Sequence, residues 1–167
     1  MTPAELLLDA FERTAEGGRA VVDGLDMDLL THRVGPDANS IAWLIWHLAR
    51  IQDDHVAEVA GIEQVWTSQG FEARFRLPFD TADTGYGHDR DQVARVRATA
   101  GLLAAYLTAV HEQTVAYVKG LVPEDLDRVV DERWDPPVTL GVRLVSVVND
   151  CAQHVGQAAY VRGLLRG

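Results

Sequence analysis

Apolar residues recur at helical spacing through four long segments of the chain, and period-two alternation is almost absent. The first predicted helix runs from about Ala4 to Leu30, with Leu7, Ala10, Phe11, Val21, Val22, Leu25, Leu29 and Leu30 in register. Gly17-Gly18 interrupts it, so a kink or break is expected there. After the loop residues Gly35-Pro36-Asp37, Asn39-Ser40 offers an N-cap for a second helix, Ser40 to about Ala60. That helix is apolar around most of its circumference, which suits a central place in a bundle or a face turned to a partner subunit, hence an expected homodimer. A third helix spans about Asp91 to Lys119, with Val93, Val96, Leu103, Leu107 and Val110 on its stripe and Gly120 as its stop. Thr139 caps a last helix reaching about Leu165.

Between the second and third helices, residues 61–90 carry turn chemistry: Gly61, Gly70, Pro78, Gly85 and Gly87, with Asp80, Asp83 and Asp89. A loop this long in a compact domain is usually functional. Phe71, Phe75, Phe79 and Tyr86, with Arg74 and Arg76, could shape a pocket mouth. Pro123–Asp127 reads as one helical turn and Glu132–Pro137 as a rigid connection. The pattern predicts an all-α four-helix bundle with a long loop between helices 2 and 3, in a single domain over 1–167.

Composition narrows the partners. The 167 residues, with 47% hydrophobic and 24% charged, are those of an ordinary globular domain. A formal net charge of −10 excludes nucleic acid and anionic membrane as partners, because phosphate binding needs clustered Lys and Arg. Lys119 is the only lysine. Neither a secretory leader nor a bilayer-length apolar run is visible, and Cys151 is the one cysteine. The expected location is the cytoplasm.

Two segments put costly polar groups into apolar helices: Trp43–Arg50, which holds His47, and Asp150–Gln157, which holds Asp150 and His154. A buried histidine or aspartate costs several kcal/mol unless something pairs with it. At about 100° per residue, Asp150 and His154 share a face with Val147, Cys151, Ala158, Val161 and Leu165. His47 shares its face with Ser40, Trp43, Leu44, Ile51 and Asp54. Facing helices that project ligands inward are how bundles build metal sites, and these side-chain types suit zinc and nickel. Three readings remain open at this level: a metal site, a metal-free Asp150–His154 pair, or Asp150 orienting His47.

The other candidates carry less. His55 is turned about 80° from His47, which suits a surface or supporting role. Asp54 is better placed than Asp53 to orient a ligand imidazole. His32, His88 and His111 lie in polar surroundings and read as surface residues; Trp43, Trp46 and Trp66 read as core or interface aromatics. Cys151 reads as a buried structural thiol, and no nucleophile elbow supports a serine hydrolase.

The order of helices, the segment W-L-I-W-H-L-A-R and the segment D-C-A-Q-H-V-G-Q-A-A-Y-V-R-G resemble the DinB-like superfamily. More narrowly the chain is similar to actinobacterial members near the metal-binding domain of mycothiol-dependent maleylpyruvate isomerase. The resemblance implies that His47, Asp150 and His154 hold a divalent metal, zinc foremost and nickel as the other choice, with aspartate where relatives carry histidine or glutamate. That isomerase has an additional C-terminal domain with no counterpart in this chain, so fold and metal carry over further than its reaction. The implied activity is a metal-dependent thiol S-transferase or isomerase. In it the metal activates a low-molecular-weight thiol of the mycothiol kind, and the 61–90 loop receives a small electrophile. The alternatives are a non-catalytic, stress-related metal-binding bundle and a metal-free helical interaction domain.

Overall fold

Thr2 opens the first helix, α1 (Pro3–Val22), with a capping box: its Oγ1 accepts the Glu5 N–H at 3.1 Å and Glu5 Oε2 accepts the Thr2 N–H at 2.7 Å. The computed structural model describes residues 1–165, so the last two residues of the expected 1–167 span lie outside the described residues. Gly17 and Gly18 stay inside α1. The break falls later, where Gly24 takes φ +71° and Asp26 caps a short α2 (Met27–Thr31). The glycine pair serves packing instead. A Cβ on Gly18 would lie 2.5 Å from Leu107 Cδ2, and one on Gly17 2.8 Å from Val155 Cγ1, so the two residues let neighbouring helices approach closely.

Ser40 accepts the Trp43 N–H at 3.2 Å and starts α3 (Ile41–Ala60). The 61–90 stretch holds two short helices, α4 (Val65–Ser68) and α5 (Phe71–Phe75). The expected third helix is two: α6 (Arg90–Arg95) ends before Val96, and Thr99 caps α7 (Ala100–Val118) by accepting the Leu102 N–H at 3.3 Å. Local polar caps, invisible to a purely apolar periodicity, impose both interruptions. A 3₁₀ turn at Pro123–Asp127 leads to β1 (Val129–Asp131) and β2 (Val138–Thr139), an antiparallel pair absent from the sequence expectation. Strands this short carry no periodic signal. Thr139 Oγ1 then accepts the Val142 N–H at 3.4 Å, and α8 (Leu140–Leu165) runs unbroken.

The fold is an all-α four-helix bundle. Helices α1 and α3 are diagonal, and each packs on both α7 and α8. Every residue from Ile41 to Arg50 is buried. The 61–90 excursion folds back over α3, bringing Trp66 and Phe79 within 6.4 and 6.0 Å of Trp46 by ring centroid. The chain itself therefore covers the apolar circumference that suggested a partner subunit. Arg50, fully buried, pins the excursion by donating to Gln64 Oε1 at 2.7 Å, to the Asp83 carbonyl at 3.2 Å and to the Thr81 carbonyl at 3.3 Å. Asp53 anchors its start, accepting the Val65 and Trp66 N–H groups at 2.8 Å each and the Tyr106 hydroxyl at 2.8 Å. Among the described residues no helix is long and apolar enough to cross a membrane.

Candidate metal centre

The heaviest packing in the bundle, α3 on α8, brings His47, Asp150 and His154 together. Each offers a donor atom, and these atoms lie within 4.8 Å of one another. The two imidazoles meet edge to face, centroids 4.9 Å apart and 72° between planes. His47 is buried; Asp150 and His154 are half-buried.

His47 is held on two sides. One turn earlier on α3, Trp43 stacks on its ring at 4.4 Å with 16° between planes. Its Nδ1 sits 2.6 Å from the Thr84 carbonyl oxygen. A carbonyl only accepts, so Nδ1 carries the proton and Nε2 keeps its lone pair. The loop reaches this position because Gly85, at φ +89°, has no side chain: a Cβ there would lie 2.9 Å from His47 Nδ1 and 2.8 Å from Trp46. Asp83 braces the turn, accepting the Gly85 N–H at 2.7 Å while its two oxygens sit 3.1 and 3.0 Å from His88 Nε2. His88 Nδ1 in turn accepts the Trp43 indole N–H at 3.2 Å.

His154 is oriented by its own helix. Its Nδ1 donates to Gln157 Oε1 at 3.2 Å, which again leaves Nε2 as the free nitrogen. That nitrogen lies 3.6 Å from Asp150 Oδ1, an ion-pair distance too long for a hydrogen bond. Asp150 Oδ2 is buried and has no hydrogen-bond partner. A carboxylate oxygen stranded this way costs about 1–3 kcal/mol or more. A divalent cation among these donors would satisfy it, so the residues fit the group.

Burial lowers His47 below the ordinary histidine range, keeping it neutral. Burial pushes Asp150 upward, but the His154 and His47 imidazoles outweigh it and hold the carboxyl below its usual value. Burial would lower His154, and the Asp150 carboxylate reverses the sign, so His154 titrates above an ordinary histidine. Two imidazole nitrogens and one carboxylate, from two facing helices, make a mixed N/O donor set of the kind that open zinc sites use.

The chain matches the mycothiol-S-transferase family over residues 6–167. It belongs to that family. A solved structure, the conserved protein of a locus from Enterococcus faecalis, is similar at 32% identity and a TM-score of 0.89, covering 97% of this chain and 96% of that chain. A comparison with curated proteins gave no match. Membership of that family and the all-α fold agree with the DinB-like resemblance.

Among the remaining residues some sit where the amino-acid pattern puts them and others do not. His88 and His111 are not surface residues: His88 is packed into the loop brace, and His111 is buried with Nε2 2.8 Å from Glu12 Oε2. His32 is exposed. Asp54 does not orient a ligand imidazole, because its Oδ1 accepts from Gln64 Nε2 at 2.8 Å; the Thr84 carbonyl takes that role. Phe71 and Phe75 pack around Tyr106 in the core and shape no pocket mouth. Trp43, Trp46 and Trp66 are buried. Cys151 is fully buried, its thiol 3.7 Å from the Leu48 carbonyl, and burial raises it far above a reactive cysteine. Nothing in the residue types of Thr84 and Gly85 assigns either a role at the site. Their one signal was a glycine inside a loop otherwise marked for function.

Proposed function

We propose that His47, Asp150 and His154 hold one divalent cation, zinc foremost, and that the protein transfers a low-molecular-weight thiol of the mycothiol kind to a small electrophile. The observation that carries the reading is the stranded Asp150 Oδ2 beside two histidines whose Nδ1 protons are both committed elsewhere. When bound, a cation of this kind lowers the pKa of a coordinated thiol and supplies thiolate at neutral pH. Three protein donors leave coordination positions for it. His47 is fixed in tautomer and direction by Thr84 and Trp43, so it needs no rearrangement on binding. Asp150 adds a negative charge to the donor set without acting as a proton donor. A low-molecular-weight thiol is a substrate of reducing compartments, so we place the activity in the cytoplasm.

The test is thiol consumption with mycothiol and 1-chloro-2,4-dinitrobenzene. In that reaction a C–S bond forms, chloride leaves and the thiol proton goes to solvent. Zinc-loaded protein should turn over well above the uncatalysed rate, and His47→Ala should fall to it. Equal rates would refute the reading. A fall in Tm on chelation without any thiol turnover would instead favour a purely structural cation.

A further inference from the structure

A hollow of about 420 Å³ adjoins Asp150, between the α3–α8 seam and the β1–β2 hairpin. Its size suits a small organic molecule. Two aromatics at its edge stand out. Trp134 is 65% exposed and Tyr86 is 89% exposed, whereas Trp43, Trp46 and Trp66 are at most 6% exposed. Large aromatic faces left in water beside a cavity are contact surface for a flat ligand.

The polar wall is built with some precision. Asp131 Oδ2 on β1 accepts Arg143 Nη2 at 3.0 Å and Arg133 Nη2 at 2.8 Å. Thus fixed, Arg143 places Nη1 2.8 Å from His55 Nδ1. A guanidinium has only donors, so His55 Nδ1 must accept and the imidazole proton resides on Nε2. Among the described residues that Nε2–H has no hydrogen-bond partner, and His55 and Asp150 both line the hollow. Burial, and then the Arg143 charge, keep His55 below the ordinary histidine range, which preserves the neutral donor form.

Charge separates a neutral ligand from an anion. Both guanidiniums are matched by Asp131; Arg143 also lies 3.6 Å from Glu58 Oε2, and Asp150 adds a negative charge to the wall. In the cation-free protein no uncompensated positive charge remains for a carboxylate.

We propose that this hollow binds the electrophile, and that the ligand class is a small, flat, uncharged aromatic or conjugated carbonyl compound. Its ring would lie against Trp134 and Tyr86, and its carbonyl oxygen would accept the His55 Nε2–H. Arg143 is a positioning residue that fixes the His55 tautomer. That the ligand is an electrophile rests on the function proposed above; the binding site itself does not.

The experiment is an NMR titration of the ¹⁵N-labelled full chain with acetophenone, followed at the Trp134 indole and the His55 ring, with ethylbenzene and benzoate as comparators. It uses neither thiol nor cation, so its failure is separable from failure of the transferase reading. Acetophenone should saturate and shift both signals. Ethylbenzene, lacking the acceptor, should bind about three- to tenfold more weakly, as should acetophenone to His55→Ala. Trp134→Ala, at an exposed position that leaves the fold intact, should also weaken binding. The His47→Ala protein should bind acetophenone like the parent. No shift at Trp134, equal affinity for ethylbenzene, tighter binding of benzoate, or lost binding in folded His47→Ala would each overturn the proposal.

Discussion

The His47 Nδ1 and the Thr84 carbonyl oxygen are 2.6 Å apart, although 37 positions separate them in the chain. This one contact makes the long 61–90 excursion part of the candidate metal site. It sets which imidazole nitrogen faces Asp150 and His154, and it depends on the bare backbone of Gly85, braced by the Asp83 carboxylate.

Replacing Gly85 with alanine should therefore damage a site it does not ligate. The new Cβ would collide with Trp46 and His47, and φ +89° would strain any L side chain. Metal affinity should fall about 10–100-fold, the usual cost of losing a supporting hydrogen bond. Chelator competition on the variant, with circular dichroism confirming the helices, checks this. Unchanged affinity would show that the Thr84 contact is incidental.

Metal binding and pH are linked through two histidines whose pKa values are shifted in opposite directions. His154 titrates above an ordinary histidine and His47 below it. Lowering pH should first protonate His154, so apparent affinity starts to fall above about pH 6.5 and loses about tenfold per pH unit beneath the His154 pKa. In the metal-free protein the depressed His47 costs stability as pH falls below the unfolded-state histidine pKa, whereas His154 acts at the other end of the range. A raised His154 contributes stability that is fully present below the unfolded-state pKa and is lost as pH rises through the folded one. The depressed Asp150 contributes above its unfolded-state pKa and loses that as pH falls. Melting curves from pH 5 to 9, with and without chelator, should diverge upward for the loaded protein.

Two glycines in long helices should respond oppositely to alanine. Gly18→Ala pushes a Cβ into Leu107 and should cost about 1–3 kcal/mol, despite alanine's better helix propensity. Gly156, in α8, has nothing within 4 Å of a Cβ, so Gly156→Ala should stabilise by about 0.5–1 kcal/mol. Urea denaturation of both variants settles the pair.

These glycines also mark where residue pattern stops specifying structure. The apolar stripes of α1, α3, α7 and α8 are legible, because packing faces repeat every turn. Gly17-Gly18 reads as a break, yet close helix approach favours small residues as strongly as chain reversal does. The same ambiguity explains α3: its apolar circumference implies a partner, and the partner for that surface is the chain's own residues 61–90. Asp150 and His154 are legible from a four-residue spacing, and His47 from its place on a core stripe. Thr84 is not, because a backbone carbonyl acting as orienter leaves no trace in residue type. Helical phase alone favours Asp54 as the orienter, yet tertiary contacts commit Asp54 to Gln64 and Asp53 to the Val65 and Trp66 N–H groups.

Removing that carboxylate should be severe. Asp53→Ala strands two backbone N–H groups, the Tyr106 hydroxyl and the buried Arg50, 3.8 Å away. A loss of about 3–5 kcal/mol is expected from breaking such a buried set. The variant should also lose metal affinity, since the excursion carrying Thr84 starts at this anchor. A mild variant, within about 1 kcal/mol by denaturation, would contradict the role given to Asp53.

Elemental analysis of untagged protein tests the metal centre most directly, compared with His47→Ala and His154→Ala prepared in the same way. About one equivalent of a divalent transition metal per chain is expected in the parent, and none in either variant, with both variants still helical. Equal metal content in all three, or a parent that takes up no stoichiometric zinc or nickel when supplied, would contradict the assignment of His47, Asp150 and His154 as a metal centre.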